Sequence, residues 1–189
     1  MIAADAPPIV HDPIPFGARR KAEMRAYARR HYGINTALLK NPKVIVEHVT
    51  VTSSYRATWN TFAPDVPDAE LHELPGTCAH FVVDRAGKIH QLVSLRYMCR
   101  HTVGLNYTSI GIEHVGMSDA QVLGDTKEMR ASLRLTRWLQ AKFGIATKNV
   151  IGHAESLSSP YHRERVKRLA RQTHGDWVHR DMQIYRSKL

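Results

Sequence analysis

Much that would narrow the function of this chain quickly is missing from it. Only two of its 189 residues are cysteines, and that leaves the redox compartment open. Cys78 and Cys99 flank a hairpin-like excursion and are either a disulfide or two buried thiols. No run of about 18 apolar residues occurs, which excludes a transmembrane helix. There is no H-E-x-x-H or other short metal motif, no internal repeat and no low-complexity tract. Acidic residues are scarce, 17 against 27 lysines and arginines, so the net charge is +10. That surplus favours polyanions, anionic surfaces or acidic polymers as partners. It does not favour nucleic acid, because the basic residues are scattered over 19–30, 130–142 and 163–171 and mark no recognisable module.

What remains is an ordinary globular composition, 43% hydrophobic and 23% charged, of a length that suits one domain. The opening "MIAADAPPIVHDPIPFG" has too short an apolar stretch and too few basic residues for an intact secretion signal. It reads as an extended, proline-restricted arm over 1–17, ahead of a single domain over 18–189. Apolar spacing predicts a helix from Arg19 to Tyr32, ended by Gly33, and a longer one from Thr126 to Phe143. Strands are expected at 41–50, 108–116 and 149–153. "CAHFVVDRAGKIHQLV" reads as a β-hairpin turning at Asp84–Gly87. Ser159-Pro160 is a helix start and predicts a helix over 160–171. The polar segment from Thr52 to Gly76, fastened by Tyr55, Trp59 and Phe62, is a candidate groove rim. The tail from Thr173 carries Trp177, Met182, Ile184 and Tyr185 and is expected to pack. The whole reads as α/β, a central mixed sheet flanked by helices.

Three residues at predicted element ends offer one metal site: His48, His153 and Asp176. Two imidazoles and a carboxylate suit catalytic zinc and leave a position open for water. Their spacing is non-local, and with twelve histidines many such triples can be drawn.

Several short motifs give that triple a context. "HVT" (48–50), "AHFVVDRAGKIHQLV" (79–93), "RHTVGLN" (100–106), "SIGIEHVG" (109–116), "IGHAE" (151–155) and "HGDW" (174–177) together resemble the zinc-dependent N-acetylmuramoyl-L-alanine amidases. That family shares its fold with the peptidoglycan recognition proteins. The resemblance runs in the family's order from about Val44 to Trp177. It implies Zn2+ on His48, His153 and Asp176, with Asp181 as the rival third ligand. It implies Glu113 as the acid-base residue, and His174 where the family has a lysine that stabilises developing negative charge. A histidine does this fully only when protonated. His101 is implied to line the site, bonding Glu113 or the peptide, and Asn106 to be a structural or a substrate-groove asparagine. Alternation sets Glu113 on one strand face with Gly111, which suggests room for substrate backbone there. The family's tyrosine near the metal has no secure match.

The implied reaction is hydrolysis of the amide between N-acetylmuramic acid and L-alanine in peptidoglycan or muropeptides, by water that the zinc activates. The alternative is a non-catalytic peptidoglycan-binding module of the same fold. The implied partner is a muropeptide stem, without nucleic acid or a transmembrane segment, and the protein is expected to be a monomer. Such a substrate implies a secreted or cell-envelope enzyme ahead of a phage endolysin or a cytoplasmic recycling enzyme.

Overall fold

The computed structural model describes residues 5–189, so the first four positions of the arm lie outside the described residues. In chain order the elements are β1 (Ile9–His11), α1 (Ala18–Tyr32), β2 (Val44–Val49), α2 (Tyr55–Phe62), β3 (Phe81–Val83) and β4 (Ile89–Gln91). Then follow β5 (Ser109–His114), α3 (Asp119–Gly124), α4 (Thr126–Phe143), β6 (Val150–Gly152) and α5 (His179–Arg186). One six-stranded sheet results, ordered β1-β4-β3-β5-β2-β6. Among the described strands, only β3 and β4, the predicted hairpin, pair antiparallel. All other neighbours run parallel.

Both faces of the central strands are covered, as parallel sheets require. Period-two alternation sends Ile45, Ile110 and Ile112 into the main core with Met129, Leu135 and Leu139 of α4. The intervening Val44 and Val46 pack on the other side with Leu105 and Ile151. Helix α4 starts at Asp125, whose side chain accepts from the Lys127 and Glu128 amides, and presents an apolar stripe to the sheet. Its Thr136 hydroxyl donates to the buried Glu47 carboxylate at 3.0 Å, so Glu47 faces α4 and His48 points the opposite way. Helix α5 closes over the strand end. Arg186 pairs with Glu155 at 2.7 Å and with the Val150 carbonyl at 3.1 Å.

Two sequence expectations change. The arm is not merely extended, because Ile9–His11 forms the edge strand beside β4, and Ile14 is buried against Phe62 and Leu92. The helix over 160–171 does not form; only a single 3-10 turn at Lys167–Leu169 appears. The backbone donors that a helix would use are committed elsewhere, Arg163 to Gly104 and Arg165 to His31. Like charges four apart, Arg163 with Lys167 and Lys167 with Arg171, also oppose that helix. Cys78 and Cys99 form a disulfide with their Cα atoms 5.7 Å apart, fully buried under the hairpin.

Candidate active site

Neighbouring strand ends assemble the site. β2 and β5 run in parallel register with His48 opposite Glu113, and both side chains project away from α4. β6 flanks β2 on its other edge and stops at Gly152. His153 therefore arrives beside His48, with ring centroids 4.7 Å apart. Asp176 is delivered by the returning tail, whose carbonyl at Asp176 accepts from the Ala154 amide at 3.0 Å. That approach explains the glycine before the histidine: a Cβ on Gly152 would lie 1.8 Å from the Trp177 carbonyl oxygen. The tail passes where any other residue would carry its side chain.

The three groups sit at metal-ligand spacing, with one atom from each of His48, His153 and Asp176 within 4.8 Å of the others. His48 Nδ1 lies 3.5 Å from Asp176 Oδ2, and His153 Nδ1 lies 3.4 Å from Asp176 Oδ1. Tetrahedral zinc with ligand bonds of ~2.1 Å separates its donor atoms by ~3.4 Å, so each imidazole stands at donor spacing from one carboxylate oxygen of Asp176. The electrostatics fit as well. Burial opposes ionisation of Asp176, but the two imidazoles outweigh it and hold the carboxyl far below the usual range. Burial pushes His153 down to about 4, leaving it neutral. His48 also pays a burial penalty, yet Asp176, Glu113 and Glu47 raise it overall. The far nitrogen of His48, Nε2, is held by His101 Nδ1 at 3.0 Å and Thr102 Oγ1 at 3.3 Å, contacts of the kind that orient a metal ligand. His153 Nε2 is buried with no hydrogen-bond partner among the described residues.

Glu113 shares the cavity with this triad. The cavity is about 410 Å³ and is lined also by Phe62, His101 and His174. Glu113 is 8% exposed, and its Oε2 is buried without a partner among the described residues. Burial, first of all, pushes its carboxyl up to about 7. A carboxylate poised there takes or gives a proton near neutral pH.

Other expected site residues sit differently. His101 does not bond Glu113. Its ring covers Gly111, where a Cβ would lie 2.7 Å away, and its Nε2 meets Ser109 Oγ at 3.2 Å. The room beside Gly111 is thus filled by an imidazole and is not open to substrate. Asn106 is fully buried and does not reach the groove. Its Oδ1 accepts from the His101 and Thr102 amides, both at 2.8 Å, and its Nδ2 donates to the Tyr32 hydroxyl at 3.1 Å. It clamps the loop that carries His101. His174 does reach the cavity, its ring stacked on His153 at 4.7 Å and its Nε2 2.8 Å from Glu70 Oε2. Asp181 lies in the first turn of α5, outside the metal-ligand group. Tyr55 is turned to the arm, stacked on His90 and donating to Asp12 at 2.7 Å.

Glu70 was not singled out from sequence. The only signal for it was that it falls in the polar segment read as a groove rim, and Glu70 and Leu71 do line a small annex of the cavity with Gln172 and His174. Glu47 was likewise unforeseen. Burial raises its carboxyl to about 8, and the Thr136 hydroxyl bonds it under the site floor.

A family model described as N-acetylmuramoyl-L-alanine amidase matches residues 38–173. The match takes in His48, His101, Glu113 and His153 and stops short of His174 and Asp176. Comparison with curated proteins returned no match. Among solved structures, an endolysin N-acetylmuramoyl-L-alanine amidase, LysCS from Clostridium intestinale, superposes at TM-score 0.56 and 18% identity, over 98% of this chain and 97% of that one. A mutant endolysin from Bacillus subtilis gives 0.55 at 21% identity, over 96% and 97% of the two chains. PlyL gives 0.59 at 18%, over 97% and 99%. These structures share the fold.

Proposed function

The chain belongs to the N-acetylmuramoyl-L-alanine amidase family, and from that premise we propose how its residues divide the work of the reaction. The protein hydrolyses the amide between N-acetylmuramic acid and L-alanine in a zinc-dependent manner. His48, His153 and Asp176 hold the metal. Zinc bound there supplies a Lewis acid that acidifies water and polarises a carbonyl. Glu113 takes a proton from the attacking water and returns it to the alanine nitrogen as the C–N bond breaks. The products are a lactyl carboxylate and a free amine. His174, at the cavity edge, donates to the carbonyl oxygen as charge develops on it. His101 keeps His48 aimed at the metal, and Asn106 holds His101 in turn.

One observation carries this division of labour: Glu113 stands opposite His48 in strand register, buried, with an oxygen that has no hydrogen-bond partner among the described residues. The non-catalytic alternative gives no account of a raised, unpartnered carboxyl beside a metal site. The substrate is peptidoglycan or muropeptide, and the work takes place outside the cytoplasmic membrane. Within that space we favour a secreted or cell-envelope enzyme over a phage endolysin. We favour a single catalytic domain, with Ile9–His11 of the arm built into its sheet, that acts as a monomer without nucleic acid.

Product analysis tests the reading. Digestion of a soluble muramoyl pentapeptide is expected to release a peptide with a free L-alanine amine and a lactyl carboxyl on the sugar. Cleavage within the peptide or the glycan, or none with zinc bound, overturns it.

A further inference from the structure

The surplus of positive charge is not evenly used. At the C-terminal end of α1 the acids are turned inward. Glu73 is 8% exposed and receives Arg30 at 2.5 Å, Arg168 at 2.9 Å and His31 Nε2 at 2.9 Å. Glu164 is taken by His31 Nδ1 at 2.9 Å. These pairs, with the Arg165 amide on the His31 carbonyl, lay residues 163–171 alongside α1. The cations around them are left over. Arg25, Arg29, Arg163, Arg165, Lys167 and Arg171 are exposed and make no side-chain ion pair among the described residues. The same segment is stitched to the site. The Arg163 amide donates to the Gly104 carbonyl in the loop that carries His101, and the chain continues from Arg171 through Gln172 to His174 in the cavity wall.

We propose that this surface, formed by α1 and residues 163–171, binds a polymer of phosphodiester repeats linked to the wall and so holds the enzyme beside its glycan. Charge and composition select the partner. Five of the six unpaired cations are arginine, whose planar fork matches phosphate oxygens two at a time. A lipid headgroup surface carries the same phosphate chemistry but calls for apolar side chains to enter the bilayer beside the cations. No large exposed apolar residue falls within 18–33 or 161–171. A polyanion lying there would run past the Gly104 loop toward the cavity, so that binding raises the local concentration of stem peptides.

The test uses the whole chain and soluble poly(glycerol phosphate) as probe, titrated over a range of salt. One variant carries Arg163→Gln, Arg165→Gln and Lys167→Gln. A second, matched in net charge, carries Arg130→Gln, Arg134→Gln and Lys142→Gln on the exposed side of α4. The first is expected to bind at least about tenfold more weakly with a shallower salt dependence, and the second within about twofold of wild type. Both keep wild-type cleavage of soluble muramoyl peptide and an unchanged melting temperature, so loss of the hydrolase reading shows separately from loss of this one. Equal weakening of both variants would show a diffuse charge effect and overturn the proposal. So would no measurable binding, or tighter binding to phosphatidylglycerol vesicles than to the polymer.

Discussion

Replacing Glu113 with glutamine separates chemistry from stability in a way the structure quantifies. The carboxyl is buried, and burial pushes it up to about 7 from 4.5. A raised carboxyl contributes fully below the unfolded value and loses that contribution as pH rises through the folded one. In the metal-free protein the folded state therefore carries a growing penalty between pH 4.5 and 7. Integrated from pH 5 to 8, the penalty grows by about 2 to 3 kcal/mol. Glutamine has nearly the same shape and no charge to bury. Glu113→Gln is expected to cut kcat by ~100-fold or more, as loss of an acid-base group does. Its stability in urea, relative to wild type without metal, should improve by about 2 to 3 kcal/mol as pH goes from 5 to 8. The strongly shifted Glu47 is present in both proteins and cancels in the difference. A stability difference that does not change with pH would refute the claim that Glu113 is poised by burial. Full activity in the variant would refute its role.

Three further outcomes follow from the packing. Gly152→Ala puts a Cβ 1.8 Å from the Trp177 carbonyl, so the tail must retreat and take Asp176 with it. Stability is expected to fall by about 1 to 3 kcal/mol with loss of tight zinc binding, read by thermal unfolding and metal titration. Asn106→Ala strands the His101 and Thr102 amides inside the protein; a loss of about 2 to 4 kcal/mol is expected, and wild-type stability in urea would show that the clamp is unimportant. Chelation of the metal should lower the melting temperature, because zinc at about a hundred times its Kd adds about 2.7 kcal/mol to the folded state; an unchanged unfolding curve would count against a site built by the native fold.

Short-range pattern made part of this legible. His48 and Glu113 lie on strands whose alternation is visible in sequence, and their shared face follows from a period of two. The Gly152-His153 pair marked a strand end, although why a glycine stands there depends on Trp177, 25 residues on, which no local pattern reveals. Asp176 stood in one of many triples the sequence allows and was singled out by family resemblance, because its position depends on a tail that pairs with Ala154. The misreadings share one cause. Ser159-Pro160 is a sound helix start, but long-range bonds to Gly104 and His31 claim the following amides. Asn106 looks like a groove residue from its motif, yet Tyr32, distant in sequence, turns it inward; His101 lines the cavity as its motif implies, but His48 and Ser109 hold its ring in place of Glu113. The β1 strand went unseen because three residues among prolines carry almost no periodic signal.

The most direct test of the account measures zinc content and muramoyl-alanine cleavage on one preparation, in wild type and in Asp176→Ala. One zinc per chain in the wild type, with both metal and activity lost in the variant, is the result this structure predicts. A variant that keeps zinc and cleavage would contradict it and remove Asp176 from the site.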